Sequence, residues 1–189
     1  MAVAAVSRLR CCKWTDSCTS RRRITLGPSN ARDGRVLWHY YWKTKGGTHI
    51  GNRGLGMWGK WLYMETPDDY LVCLDAQTGK ERWHKPIADF NRQYFSTMAP
   101  IVIGNHVIIG TGNDLDAPGF VQARDPETGD IQWTFFTTPQ NKGDAGIETW
   151  GTLEGAARGG ERVDSRILRS GDQAIHFRHR QSVALLYES

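Results

Sequence analysis

The chain is short of the features that would place it in a membrane or a metal framework. No run approaches the about 18 consecutive apolar residues that a spanning helix needs, so no transmembrane segment is expected in the 189 residues. The opening MAVAAVSRLRCCKW has one short apolar patch before arginines and cysteines, which is too little for a secretory signal. There are four cysteines, Cys11, Cys12, Cys18 and Cys73. Their spacing suits neither a paired CxxC zinc site nor a disulfide framework.

A concentrated basic surface is also missing, despite a formal net charge of +4. Residues 1–30 hold six Lys/Arg against one Asp, residues 31–160 thirteen against fifteen acids, and residues 161–189 five against four. The basicity therefore lies in the first thirty residues. It does not form a patch interleaved with aromatics, so nucleic acid is not an expected partner.

Tryptophan, by contrast, is plentiful, with eight in the chain, and three of them mark a repeat. LDAQTGKERW ends at Trp83, RDPETGDIQW at Trp133, and the weaker SNARDGRVLW at Trp38, each with a Gly four residues before the Trp. The tryptophans recur after 45 and then 50 residues, a period of propeller blades or solenoids. Short apolar runs at 61–64, 70–74, 80–84, 101–103, 106–110, 120–124 and 131–136 read as strands. Pro67–Asp68, Gly104–Asn105 and the TG pairs supply the turns. About four strands per ~45 residues is the arithmetic of a propeller blade. The expected class is all-β: a partial β-propeller of two to three four-stranded antiparallel blades. Residues 57–137 should form two adjacent sheets, with Trp83 and Trp133 near the blade junctions. A single β-sandwich with incidental TG turns is the competing architecture.

The segment GGTHIGNRGLGMWGKWLYMETPDDYLVCLDAQTGKERW and the segment STMAPIVIGNHVIIGTGNDLDAPGFVQARDPETGDIQW resemble successive blades of the quinoprotein methanol/ethanol dehydrogenases. Those are eight-bladed propellers dependent on pyrroloquinoline quinone (PQQ). The resemblance covers residues 31–160, with NRG, TMAP, GTGND and the repeat in the family's order. It implies a site. PQQ is a flat ortho-quinone with three carboxylates, and the protein must hold those, sandwich the ring and bind a hard cation at a quinone carbonyl. Arg53 in NRG matches the family arginine that binds a cofactor carboxylate, a task suited to a planar guanidinium; otherwise it is an exposed turn residue. Thr97 in TMAP matches a threonine that hydrogen-bonds the quinone. Thr111 and Gly112 match the loop beside the ring. Asp114 matches the acidic metal ligand, usually Glu in the family and adequate for Ca²⁺ or a lanthanide, although Asp116 competes for the role. The family's adjacent-cysteine disulfide before NRG is replaced here by Gly47 and Thr48.

Residues 1–30 and 161–189 fall outside the resemblance, and both stretches are expected to be out of frame, disordered and without blade strands. Taking the last base of each codon from Cys11 to Ser20 with two of the next permits L-Q-V-D-G-L-M-Y-V, an alternating strand sequence. In the other shifted frame, Arg162 to Val183 permit V-W-T-P-G-S-Y-D-P through to F-G-T-G-N-P, which is close to the family's next blade. The asparagine ligand of GTGN and the catalytic Asp base would then be missing from the chain.

The function implied is that of a fragment of a PQQ-dependent alcohol dehydrogenase. In the family an Asp takes the hydroxyl proton of a primary alcohol while metal-polarised PQQ accepts hydride, and electrons pass to cytochrome c or a quinone. No catalytic residue is assigned in this chain, and neither cofactor retention nor turnover is expected. The family is periplasmic; without a signal the product would be cytoplasmic. The rival readings are a quinone-free propeller scaffold, like the lipoprotein of the outer-membrane β-barrel assembly machinery, and the product of a decayed gene.

Overall fold

The D-x-x-T-G signature folds identically each time it is complete. Asp75 Oδ1 accepts from the backbone N–H of Gln77 at 3.0 Å and of Thr78 at 2.9 Å. Asp125 Oδ1 accepts likewise from Glu127 and Thr128 at 2.7 and 3.0 Å. The threonine hydroxyl then accepts from the residue after the glycine, Lys80 or Asp130. Gly79 and Gly129 take φ of +70° and +75°, a left-handed conformation that a side chain would strain. Each repeat is thus a hairpin closed by an Asp-capped turn, and the residues on either side run out as strands.

The structure is a computed structural model. It describes residues 24–28, 33–46, 52–112, 117–150, 153, 163–169, 175–179 and 183–186. Two four-stranded antiparallel sheets form its centre. The first runs β3 (Gly56–Trp58), β4 (Trp61–Glu65), β5 (Tyr70–Asp75) and β6 (Glu81–Pro86). The second runs β7 (Ile101–Ile103), β8 (His106–Thr111), β9 (Phe120–Arg124) and β10 (Ile131–Phe136). Strand order in each sheet is sequential, as successive hairpins require. Ahead of them β1 (Ile24–Leu26) pairs with β2 (Tyr40–Trp42). The expected pair of four-stranded sheets over 57–137 is therefore present.

Both faces of the first sheet are apolar because it is covered on both sides. Tyr63, Leu71 and Cys73 meet Val107, Ile109 and Phe120 of the second sheet. Leu62, Met64, Val72 and Leu74 on the other face take Trp38, Tyr40 and Trp42 from the N-terminal side. Layered sheets stacked face to face in chain order are the arrangement of propeller blades.

The repeat tryptophans join one layer to the next. Trp38 Nε1–H donates to the Ala76 carbonyl at 3.1 Å, and Trp83 Nε1–H to the Glu127 carbonyl at 2.9 Å. Each ring covers the glycine of that next turn, Gly79 or Gly129. A bulge precedes each later tryptophan: the register shifts between the Cys73 and Leu74 pairings with β6, and between Ile131 and Trp133 in β10. Such an extra residue re-aims the side chain that follows it. Trp83 is therefore at a junction as expected. Trp133 is half-buried in β10, and no third turn of this kind lies among the described residues.

Strands lie within 1–30 and 161–189 as well: β1 at Ile24–Leu26, and a three-stranded antiparallel sheet of β11 (Val163–Arg169), β12 (Ile175–His179) and β13 (Val183–Leu186). VDSRILR and IHFRH mix charged residues with β-branched and aromatic ones, and Gly171–Asp172 falls between them. That composition favours a hairpin whatever the origin of the sequence. A four-residue helix, α1 (Ile147–Trp150), lies between the second sheet and β11.

Candidate functional site

The segments that precede the inner strands β3 and β7 lie side by side, and glycine lets them do so. Gly54 has φ of +148°, and a Cβ there would come 3.1 Å from the Ala99 Cβ. A Cβ on Gly56 would lie 2.5 Å from the Pro100 carbonyl oxygen. The NRGLG run therefore threads directly against TMAP, and any larger residue at position 56 would push them apart. Asn52 fixes the turn from both ends. Its amide donates to the Glu65 carbonyl at 2.7 Å, and its Oδ1 accepts from the Gly54 N–H at 2.8 Å.

This threading brings together the first two of the sequence-assigned site residues. Arg53 N–H donates to the Thr97 carbonyl at 2.9 Å, and Arg53 Nη1 donates to Thr97 Oγ1 at 2.9 Å. Thr97 is buried, while Arg53 is exposed. The guanidinium is thus held through one nitrogen, with the rest of its fork facing outward.

Thr111 and Gly112 come to the same neighbourhood from the end of β8. Thr111 Oγ1 lies 2.9 Å from the Phe95 carbonyl, and Phe95 bridges to Gly112, whose carbonyl accepts the Phe95 N–H at 3.2 Å. The loop at 95–98 therefore connects Thr97 to Thr111 and Gly112. Asp114 and Asp116 lie outside the described residues, so their competing roles at a metal stay where the sequence left them. Among the described residues no cluster of three His, Cys, Asp or Glu side chains is placed to hold a metal.

The chemistry of the donor set fits a polycarboxylate. An anchored guanidinium with an exposed fork is the usual partner of a carboxylate. The Thr97 and Thr111 hydroxyls and a glycine backbone beside it suit the close approach of a flat, polar ring.

Two residues of this neighbourhood were not among the sequence assignments. Glu65 and Asp69 are both fully buried. Both Glu65 carboxylate oxygens and Asp69 Oδ2 have no hydrogen-bond partner. The Gly110 and Met98 backbone and the Ser96 hydroxyl approach the Glu65 carboxyl and favour its ionised form, against the larger effect of burial. Burial, and then the nearby Asp69, hold the Glu65 carboxyl well above the ordinary carboxylate range. Burial likewise pushes Asp69 up to about 6, against the lowering effect of the Ser96 and Thr111 hydroxyls. One clue was present in the sequence: ETPDDY places three acids around a tight turn, between strands that are otherwise apolar.

Comparison with known proteins agrees with the geometry. The quinohemoprotein alcohol dehydrogenase ADH IIB of Pseudomonas putida is 39% identical over 117 residues, 58% of this chain. The dehydrogenase subunit of the alcohol dehydrogenase (quinone) of Gluconacetobacter polyoxogenes is 38% identical over 126 residues, 60% of this chain. The chain spans 17% of the length of each. The solved structure of quinohemoprotein alcohol dehydrogenase ADHIIG from Pseudomonas putida HK5 superposes with a TM-score of 0.69 at 27% identity, over 84% of this chain and 26% of that one. The PQQ_2 family profile, described as Outer membrane protein assembly factor BamB, matches residues 25–176. That match exceeds the 31–160 of the sequence resemblance at both ends. The chain thus belongs to the PQQ_2 family of PQQ-repeat propellers.

Proposed function

We propose that the chain is a segment of a PQQ-dependent alcohol dehydrogenase that contributes the carboxylate-binding arginine and part of the wall around the quinone. The observation that carries this reading is the Arg53–Thr97 pairing at 2.9 Å, which ties the NRG and TMAP motifs of adjacent blades into one surface. When bound, PQQ supplies the electron-pair acceptor for oxidation of a primary alcohol. Arg53 holds a cofactor carboxylate with the part of its fork that Thr97 leaves open. The Thr97 hydroxyl orients the ring, and Thr111 and Gly112 form the loop that lies beside it. Asp114 is proposed as the cation ligand for Ca²⁺ or a lanthanide, with Asp116 as its competitor.

The same reading makes the chain inactive alone. The family's general base is not among the residues assigned here, and losses within one catalytic unit are not made up by the remainder. The ends at 1–30 and 161–189 are proposed to be translated out of frame, which the nucleotide sequence around the codons for Ala31 and Gly160 would decide. The functional test is expression with PQQ and Ca²⁺, then assay with methanol and ethanol and a dye acceptor. The reading expects no oxidation above a PQQ-only control; a soluble product that turns over would overturn it.

A non-catalytic scaffold is the second reading, favoured by the description of the family profile. A scaffold needs the blade repeat but has no use for an exposed arginine seated on TMAP, so saturable, Arg53-dependent PQQ binding separates the two.

A further inference from the structure

The buried acids beneath the site present a hydrogen-bonding problem with one economical solution. Thr111 Oγ1 lies 2.9 Å from Asp69 Oδ1 and 2.9 Å from the Phe95 carbonyl. A hydroxyl has one proton, and neither a carbonyl nor an ionised carboxylate can donate. If both contacts are good hydrogen bonds, one of the acceptors must carry a proton, and only Asp69 can. Ser96 Oγ, 2.6 Å away, donates to the same Asp69 Oδ1. Asp69 Oδ2 and both oxygens of Glu65 make no hydrogen bond of good geometry, although the Met98 and Gly110 backbone and the Ser96 hydroxyl approach Glu65. Two ionised carboxylates side by side in that state would lose most of their hydration for little replacement, which costs more than neutralising them. Asp69 itself sits at φ of +60°, a strained conformation for a non-glycine residue, so its side chain is held in place by the surrounding contacts.

We propose that Glu65 and Asp69 form a neutral, proton-loaded carboxyl pair at the junction of the two sheets, and that Asp69 acts as a positioning residue for the cofactor-facing loops. The Asp69 hydroxyl donates to Thr111, Thr111 donates to the Phe95 carbonyl, and Ser96 donates back to Asp69. This chain of bonds spans the end of β8 and the loop that carries Thr97. Among the described residues, one further titrating group acts on the pair. Ser96, Met98, Gly110 and Thr111 approach from the neighbouring blade, and Asp68 is the remaining charged group acting on Asp69. The positioning role rests on the proposed function; the protonation does not.

Because the Asp69 carboxyl is raised to about 6, the folded chain binds a proton that the unfolded chain has released. Its stabilisation is complete below the ordinary carboxylate range and is lost as pH rises through about 6. The test is a set of thermal melts of the full chain from pH 4 to 8. The wild type should lose on the order of 5–10 °C across that window. Asp69→Asn can donate to Thr111 without titrating, so it should keep the acid-side melting temperature and lose most of the slope. Glu65→Gln should gain stability at pH 7.5. A flat wild-type profile, or an Asp69→Asn profile as steep as wild type, overturns the proposal. Should either variant fail to fold, infrared difference spectra of the wild type decide instead: a protonated carboxyl stretch at pH 7 that grows below pH 6 supports the pair, and its absence overturns it. If Ca²⁺ or Na⁺ raises the wild-type melting temperature at pH 7.5 but not that of Glu65→Gln, a cation holds the oxygens and the proton-loaded pair is wrong. For the positioning role, wild-type PQQ affinity should fall several-fold from pH 5.5 to 7.5 while that of Asp69→Asn stays level; parallel curves overturn it. A chain that melts as described but binds no PQQ contradicts the cofactor reading alone.

Discussion

The indole of Trp83 occupies the space above Gly129 so closely that a Cβ built there would lie 2.8 Å from the ring. The same relation joins Trp38 to Gly79, with 2.4 Å to the ring. The repeat glycine therefore serves two purposes, a positive φ and a seat for the preceding blade's tryptophan. Gly129→Ala and Gly79→Ala should each cost about 2–4 kcal/mol, from backbone strain and the displaced ring together. Gly104 has φ of +56° but nothing within 4 Å of its Cβ position, so Gly104→Ala should cost only about 1 kcal/mol. Denaturant melts of the three variants check the ranking; equal losses would remove the packing half of the argument.

Between the sheets, burial outweighs charge. Arg82 of β6 pairs with Glu127 of the next turn and stacks over Trp61 at 4.3 Å. Both partners of that pair are partly exposed, so Arg82→Ala should cost at most about 1 kcal/mol, less in high salt. Trp83→Ala removes a half-buried ring packed on the core, with its bond to the Glu127 carbonyl, and should cost about 2–3 kcal/mol. Chemical denaturation at low and high salt separates the two. A larger loss for Arg82→Ala would mean that the junction is electrostatic.

Arg124 is a buried cation with no ion-pair partner among the described residues, yet all three of its guanidinium nitrogens donate hydrogen bonds. It donates to Gln122 Oε1, to the Gly129 carbonyl at 3.1 Å and to the Pro86 carbonyl at 2.8 Å. The last bond crosses from the second sheet to the first. Leu74 occupies the matching repeat position, so apolar packing alone would predict that Arg124→Leu is tolerated. Instead it should destabilise by about 2–4 kcal/mol, because the buried Gly129 carbonyl and the buried Gln122 Oε1 lose their donor. A neutral or stabilising result would contradict this.

Strand positions could be read from the sequence because each is bounded by a turn of clear chemistry. The seven expected strands match β4 to β10 to within a residue or two, whereas β3 was hidden: Gly56–Trp58 is three residues long and its glycine speaks of close approach, not pairing. Arg53 and Thr97 were legible as motifs, and their contact follows from the glycines that let the two segments touch. Glu65 and Asp69 were not legible as core. Acids around a turn read as solvent-facing, and only the loop of the following blade, laid across them, makes them buried.

The most direct test of the account is an equilibrium titration of PQQ against the purified chain, Arg53→Ala and Thr97→Val, followed by fluorescence with melting curves alongside. The site is incomplete, so wild-type binding should be weak but saturable. Arg53→Ala should weaken it about 10- to 100-fold, the effect of one charge-assisted hydrogen bond to a carboxylate, with its melting temperature unchanged because the side chain is exposed. Thr97→Val should weaken binding less. Wild type and Arg53→Ala binding PQQ equally well, or neither binding it at all while both remain folded, would contradict the claim that these two blades carry part of a quinone site.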